Sequence, residues 1–136
     1  DSLIERYKLQ KNVKLVERIE NMQLAYQASE IVLSPSTEPE PFGRIPIEAQ
    51  AAGKIIIASD HGAVKDTIKG GDSFTGFKVK PNDPMALSKA IKKSILMDVK
   101  DLNEMRHRAV LNVKNNFSLE NMCKKTLEVY KRLLIS

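Results

Sequence analysis

The sequence is poor in the residues that build disulfides and metal centres. Its 136 residues include one cysteine, Cys123, two histidines, His61 and His107, and no tryptophan. A lone cysteine cannot form an internal disulfide, and this composition leaves too few ligands for a typical zinc site. No apolar run approaches the roughly 20 residues that a membrane-spanning helix requires. We therefore expect a cytoplasmic protein without a bound metal.

The common catalytic and phosphate-binding signatures are missing as well. The sequence contains no nucleophile elbow with a serine, histidine and acid set, and no G-x-x-x-x-G-K-[ST] or G-x-G-x-x-G loop. Aromatic residues make up only 5% of the chain, and no nucleic-acid-binding motif is present. These absences argue against a P-loop enzyme and against a partner made of nucleic acid.

The net charge of +5 is concentrated in the later part of the chain. From Pro84 onward there are eleven Lys and Arg residues against five Asp and Glu, whereas the preceding part has eleven against twelve. Two interpretations remain open. The basic side chains either solvate the outer faces of helices, or they contact an anionic partner such as a membrane surface.

What is present is an alternation of short apolar strands with helices, over a length of about one domain. The continuous apolar run KIIIAS at Lys54–Ser59 is typical of a strand buried inside a parallel sheet. The predicted fold class is therefore α/β, with a Rossmann-like parallel sheet and helices on both faces. Four strands are predicted, at 12–17, 31–33, 54–59 and 77–80.

Helices are predicted between and after these strands. Asn21, Asp83 and Ser118 are expected to cap helices, and Pro84 occupies a first helical position, where its missing N–H costs little. Tyr26 and Tyr130 fall at core positions of their helices. The predicted helices cover 3–9, 21–29, 44–52, 63–69, a segment from 84 onward, 102–113 and 119–134.

The junction between the second strand and its helix carries the most informative chemistry. Glu40 lies on the loop, and Glu48 lies about one turn into the helix that starts near Gly43. A helix start exposes unpaired N–H groups and partial positive charge, so it suits a diphosphate. An ionised carboxylate accepts hydrogen bonds only, which suits the neighbouring hydroxyls of a ribose. Arg44 would add a charged fork for a phosphate or a sugar carboxylate.

A plainer interpretation of the same residues also stands. Glu48 and Arg44 have the i, i+4 spacing of a helical ion pair, which stabilises a helix by a few tenths of a kcal/mol, roughly 0.2–0.5. Glu38 and Glu40 would then belong to a solvated acidic loop. His61, in a turn after the third strand, either reaches a ligand or is an exposed turn residue, and its position favours the second.

The flanking residues resemble one family. Glu40 and Glu48 enclose seven residues, Pro35-Ser36 precedes them, and Gly53, IIIASDHGA and PNDPMAL follow in the same order as in family 4 of the retaining glycosyltransferases. The segment is similar to the C-terminal domain of these two-domain, GT-B enzymes. The resemblance divides the domain 1–136 into a nucleotide-sugar-binding core of about 1–96 and C-terminal helices at 97–136.

The resemblance implies roles for single residues. Glu48 would bind the nucleotide ribose, and Glu40, the catalytic residue of the site, would contact hydroxyls of the donor sugar. Backbone N–H groups would hold the sugar and the distal phosphate, and the base would lie just after the first predicted strand. The amides are those of Phe42, Gly43, Arg44 and Ile45, and the residues near the base are Arg18 and Ile19.

The resemblance also implies an activity. Such enzymes transfer a sugar with retention from a UDP-, GDP- or related donor, without a metal-binding Asp-x-Asp motif and with no cofactor beyond the donor itself. Many build bacterial lipopolysaccharide or other envelope polysaccharides on lipid-linked or saccharide acceptors. Lys124, Lys125, Lys131 and Arg132 would then contact anionic lipid at the inner face of the membrane.

The sequence departs from this family at its start. The family's domain normally opens with two further strand–helix units, the first of which supplies an Arg and a Lys to the diphosphate, and an N-terminal acceptor-binding domain precedes them. Neither is found in the sequence, so we expect a partial domain that is inactive alone. The alternative is a non-catalytic remnant that binds nucleotides weakly.

Overall fold

The computed structural model describes residues 2–135, so Asp1 and Ser136, the two ends of the predicted domain, lie outside the described residues. Seven helices and three strands alternate along this part of the chain, with a single 3-10 turn at Gly71–Ser73. The elements are α1 (Ser2–Arg6), α2 (Met22–Ala28), β1 (Ile31–Ser34), α3 (Arg44–Ala51), β2 (Ile55–Ser59), α4 (Val64–Thr67), β3 (Phe77–Val79), α5 (Pro84–Ile95), α6 (Val99–Asn116) and α7 (Leu119–Ile135).

The three strands form one parallel sheet in the order β1-β2-β3. Ile31 pairs with Ile55 and Ile57 pairs with Phe77, which places β2 in the centre. All five residues of β2 are buried because helices cover both faces of the sheet. The predicted α/β fold class with a parallel sheet is confirmed.

The predicted first strand is wrong. Residues 12–17 form no strand, and three apolar side chains there are exposed: Val13, Leu15 and Val16. β-branched residues favour a strand only where a neighbouring strand pairs with their backbone and a core covers one face. Within residues 2–135 this segment has neither, so the sheet contains three strands and not four.

Two clusters of buried side chains lie on opposite faces of the sheet. Ile56 and Ala58 point to one face, where they pack with Tyr26 of α2 and Ala49 of α3. Ile55 and Ile57 point to the other face, and Met105 of α6 is the largest fully buried helical residue packed there. Alternate residues of β2 thus enter different cores, which explains its continuous apolar sequence.

The expected helix caps are confirmed. Asn21 Oδ1 accepts from the Gln23 N–H at 3.1 Å, and Asp83 Oδ1 accepts from the Ala86 N–H at 2.9 Å. Ser118 Oγ accepts from the Asn121 N–H at 3.3 Å.

The start of α6 differs from the prediction. The helix begins at Val99, three residues before the predicted Leu102. Asp98 provides the cap, since its side chain accepts from the Lys100 N–H at 2.8 Å. The cap therefore sets the start of α6 earlier than its apolar periodicity indicates.

A buried polar network fastens α3 to α6 and α4. Gln50 of α3 is fully buried, and its Nε2 donates to the carbonyls of Pro46 at 3.0 Å and Thr67 at 2.9 Å. Asn112 of α6 donates to Gln50 Oε1 at 2.9 Å and to the Thr67 carbonyl at 3.0 Å. Each of these bonds satisfies a group that would be costly to leave unpaired, so the network holds α3 in one orientation.

α7 differs from the other long helices because its side chains from 122 to 134 are exposed. Tyr130 is 61% exposed, so the expectation that it is a core residue is wrong, whereas Tyr26 is buried as expected. No helix within residues 2–135 has the length and hydrophobicity to cross a bilayer.

Candidate functional site

The candidate site begins where β1 ends and α3 starts. The loop of residues 35–43 leads from Ser34 to Gly43, the N-cap of α3. Gly43 has a φ of 68°, a left-handed conformation that glycine adopts without a steric cost. Because this cap has no side chain, it offers no oxygen to the first-turn amides. Those N–H groups of α3 are thus left for another acceptor.

The turn after β2 packs against this loop and is hydrogen-bonded to it. The Ala63 N–H donates to the Glu40 carbonyl at 3.1 Å. Gly62, with a φ of 54°, lies so close that a Cβ there would meet Glu40 O at 2.6 Å. The glycine is therefore needed for contact between the two segments, and it fixes the backbone at Glu40.

The Glu40 carboxylate lies in a small polar cluster. Its Oε1 accepts from Ser36 Oγ, with Ser34 Oγ at 3.5 Å. His61 Nε2 lies 3.0 Å from the Ser36 carbonyl. Since a carbonyl only accepts, Nε2 must carry the proton in this hydrogen bond. His61 is half-buried, so the expectation of an exposed turn residue is wrong.

The Glu48 carboxylate has two different partners. Tyr26 Oη donates to Oε2 at 2.9 Å. Arg44 donates to Oε1 through Nη2 at 2.9 Å and through Nε at 3.2 Å. The i, i+4 ion pair that the spacing allowed is therefore formed, and a tyrosine 22 residues earlier in the chain completes the arrangement.

An open cavity of about 770 Å³ adjoins this carboxylate. It lies between α2 and α3, and its size is within the usual range for a small-molecule site. Seven of its ten lining residues have polar or charged side chains. The cavity is lined by Glu20, Asn21, Met22, Gln23, Tyr26, Gln27, Arg44, Glu48, Ala51 and Ala52.

The surroundings of Tyr26 raise its pKa to about 12. Burial is the main cause, since it disfavours the charged phenolate. The hydrogen bond to Glu48 and the negative charge of that carboxylate raise the pKa further, while Arg44 lowers it. Tyr26 is therefore a neutral hydrogen-bond donor over the whole physiological range.

The structure brings only part of the predicted site together. Arg44 and Glu48 share the cavity wall, whereas Glu40 lies in the separate cluster with Ser36 and does not line this cavity. Gly43, which lies between Glu40 and Glu48 in the sequence, is buried. The side chains of Phe42 and Ile45 are exposed.

The residues expected near the base lie next to the cavity in sequence. Arg18 and Ile19 are exposed and precede Glu20 and Asn21, which form part of the wall. The roles assigned to all these residues stay predictions. Within residues 2–135, no group of three His, Cys, Asp or Glu side chains is placed to hold a metal ion.

Sequence reasoning missed Tyr26 as a site residue. Its position on the buried face of a helix indicated a core residue, and its ring does belong to the core. The available signal was its hydroxyl group, because a buried tyrosine normally finds a hydrogen-bond partner. Which partner it finds depends on how α2 packs against α3.

Comparison with known proteins gives consistent results. The family model for glycosyl transferases group 1 matches residues 1–115. A lipopolysaccharide core biosynthesis mannosyltransferase of Rhizobium leguminosarum bv. viciae is 31% identical over 130 residues, which are 93% of this chain and 35% of that protein.

Solved structures share the fold. A glycosyltransferase from Rickettsia africae superimposes with a TM-score of 0.88 and 38% identity, covering 98% of this chain and 35% of that one. The Anabaena protein HepE, solved in complex with UDP and glucose, gives a TM-score of 0.86 at 24% identity, covering 96% and 35%. The chain thus spans about a third of the length of these proteins.

Proposed function

The chain belongs to the glycosyl transferases group 1 family, and on this premise we propose that it binds the nucleotide-sugar donor of a glycosyltransferase. The observation that carries the proposal is the half-buried Glu48 carboxylate on the wall of the cavity beside the start of α3. A carboxylate accepts from two vicinal hydroxyls at once, as a ribose presents them. Glu48 is accordingly the ribose-binding residue.

The start of α3 takes the phosphates in this proposal. The backbone amides of residues 42–45 lie at the positive end of the helix dipole, and the glycine cap leaves room for an anion. Phe42, Gly43, Arg44 and Ile45 supply these amides. As the bond to the sugar breaks, negative charge grows on the leaving diphosphate, and fixed donors stabilise it.

Glu40 takes the hydroxyls of the transferred sugar. Its carboxylate is ordered by Ser36, and its backbone by Ala63, so the loop presents it in a defined position. The nucleotide base is placed near Arg18 and Ile19, next to the wall residues Glu20 and Asn21.

We assign the reaction to the retaining glycosyltransferases of family 4, with a UDP- or GDP-type donor, no further cofactor and no metal. The UDP and glucose bound by HepE support such a donor. The name of the Rhizobium relative supports a role in lipopolysaccharide or another bacterial envelope polysaccharide, on a lipid-linked or saccharide acceptor.

The exposed basic helix α7 suggests that the acceptor is bound at a membrane surface. Lys124, Lys125, Lys131 and Arg132 all lie on α7 and are exposed. Charges of this kind attract anionic lipid, so we place the protein in the cytoplasm, peripherally at the inner face of the membrane.

Transfer by the 136-residue chain alone is not expected. Within residues 2–135 the structure contains one sheet and its helices, and we assign acceptor binding to a separate N-terminal domain. The chain should therefore bind a donor without transferring its sugar. Release of sugar from UDP-glucose or GDP-mannose at enzymatic rates by this chain would overturn that view.

Calorimetric titration with UDP and GDP tests the proposal. One of the two should bind saturably, and Glu48→Ala should remove most of that binding because the carboxylate that accepts from the ribose is gone. Glu120→Ala, a matched change on exposed α7, should leave binding unchanged.

Two other results would point elsewhere. Absence of binding supports the remnant interpretation. Affinity that falls steeply with salt and ignores Glu48 indicates a basic surface that binds polyanions.

A further inference from the structure

The two partners of Glu48 differ in burial. Tyr26 is 5% exposed and packs with Ile56 and Ala58 in the core on one face of the sheet, so its hydroxyl is held in place. The Arg44 side chain is 80% exposed and is part of the cavity wall. One oxygen of the carboxylate is thus bonded to a buried group and the other to a solvent-exposed one.

The exposed ion pair is the weaker of the two contacts. An i, i+4 pair near the surface is screened by water and salt, and holding a long arginine side chain in one rotamer costs entropy. The phenol of Tyr26 instead donates to the charged carboxylate from a buried ring, so this hydrogen bond is less exposed to water and requires little further ordering of the side chain. A competing donor will therefore displace Arg44 before it displaces Tyr26.

The competing donor is the ligand itself. Three protein donor groups already bond to the carboxylate, and the guanidinium occupies Oε1 through two of them. A vicinal diol needs acceptor positions that face the cavity, and these include the positions that Arg44 takes.

We propose that Tyr26 is a positioning residue that stays on Glu48 Oε2, while Arg44 is an exchangeable partner that the two hydroxyls of a nucleoside replace on Oε1. The inference rests on the proposed function of Glu48 and adds how that carboxylate is prepared for its ligand. Arg44 then leaves the carboxylate and turns to the negative charge at the start of α3. In the absence of a ligand, the ion pair supplies hydrogen bonds to the carboxylate.

The raised pKa of Tyr26 agrees with this arrangement. A phenol that stays protonated donates its hydrogen bond at every physiological pH, so Glu48 is held equally well throughout. The negative charge of Glu48 is among the causes of this raised pKa, so the Tyr26 pKa reports on its contact with Glu48.

Calorimetry with two probes separates positioning from general stability. The probes are UDP and its 2′,3′-dideoxy analogue, which lacks the hydroxyls that Glu48 would accept. Tyr26→Phe should weaken UDP binding about tenfold, as expected for one lost hydrogen bond to a charged group, and leave the analogue unaffected. Tyr130→Phe, the same change on exposed α7, should affect neither probe.

Arg44→Gln tests the exchange. Binding of uridine, which has the hydroxyls but no phosphate, should become several-fold tighter because the competitor for Oε1 is gone, by roughly the screened strength of one exposed ion pair. UDP should gain less, because the variant also loses a positive charge near the phosphates. Uridine binding that weakens in Arg44→Gln would show that the arginine stays in place, and the exchange would be rejected.

The outcomes distinguish the two levels of proposal. If UDP binds but Glu48→Gln has no effect, the proposed ribose site is wrong. If Glu48→Gln weakens binding and Tyr26→Phe does not, the site stands and the positioning role is wrong. If neither probe binds, both proposals are overturned for this chain.

A measurement without ligand completes the test. The Tyr26 ring can be titrated by NMR in the wild type and in Glu48→Gln. Loss of the carboxylate should lower the Tyr26 pKa from about 12 part of the way to its ordinary value of 10.0, while burial keeps it raised. An unchanged pKa would mean that the hydrogen bond is absent in solution.

Discussion

The helices α3 and α7 show how differently two segments of this chain are used. α3 has eight residues, and it buries Pro46, Ala49 and Gln50 against the sheet, α4 and α6. α7 has seventeen residues, and its apolar side chains between 119 and 134, such as Leu119 and Leu127, are more than half exposed. A helix thus forms from its own pattern and caps, but its burial depends on a partner.

The difference matters because the candidate site is built on the buried helix. Glu48 is two residues before Gln50, whose hydrogen bonds to α4 and α6 fix the rotation of α3. Side chains that project from an anchored helix keep one geometry, which ligand binding requires. α7 offers exposed charge and apolar surface instead, which suits a surface contact and not a precise pocket.

The largest expected effect compares a core residue of the sheet with a residue of α7. Ile57→Ala removes a fully buried side chain from the centre of β2 and should lower the free energy of unfolding by about 2–5 kcal/mol. Leu127→Ala, at 56% exposure, should change it by no more than about 0.5 kcal/mol. Urea denaturation of both variants checks this, and equal losses would show that α7 is packed in solution.

An effect of intermediate size on stability is expected for a substitution in α6, the helix that is hydrogen-bonded to α3. Asn112→Ala removes three side-chain hydrogen bonds, including the one that Asn112 Oδ1 accepts from Asn116, and leaves the Gln50 side chain and the Thr67 carbonyl partly unsatisfied, so it should cost about 1–3 kcal/mol. Asn103→Ala is an exposed change on the same helix and serves as the control. Because α3 loses its anchor, UDP affinity should fall with stability in Asn112→Ala only. If Asn112→Ala leaves stability unchanged, the hydrogen-bond network is not what holds α3 in place.

The smallest effect concerns the contact between α2 and α3 and depends on pH. Tyr26→Phe should cost about 1 kcal/mol near neutral pH, for one hydrogen bond. The folded state keeps the Tyr26 proton up to a pKa of about 12, whereas the unfolded chain loses it near 10.0. Wild-type stability should therefore be intact below pH 10.0 and fall between there and about pH 12.

Thermal melting across that pH range measures the effect. The loss of stability should be shallower in Tyr26→Phe, which lacks the buried phenol, and Tyr130→Phe should keep the wild-type slope. If all three proteins share one slope, the phenol of Tyr26 is not protected by the fold.

Local signals predicted most of the elements well. The run at 54–59 became the central strand, and Asn21, Asp83 and Ser118 cap helices as their side-chain chemistry indicated. The segment at 12–17 also contains β-branched residues but forms no strand. Strand propensity acts only through neighbouring strands, and none of those described lies beside it.

The site was predictable to the extent that it is local. The helix start near Gly43 and the ion pair of Arg44 with Glu48 were both indicated by the local sequence. The contacts of His61 with Ser36 and of Tyr26 with Glu48 span 25 and 22 residues. Such contacts depend on which strand ends and helices become neighbours, and that depends on the assembled sheet.

The sequence by itself determined the alternation of helices and strands, the buried character of β2, the caps and the spacing of the two glutamates, because these are set by residues within one or two turns of each other. Only the tertiary structure decided that Glu48 meets a buried tyrosine, that Glu40 joins a separate polar cluster, and that α7 is exposed. The physical reason is that burial and hydrogen bonding between distant segments depend on the packing of whole elements, which no short stretch of sequence specifies.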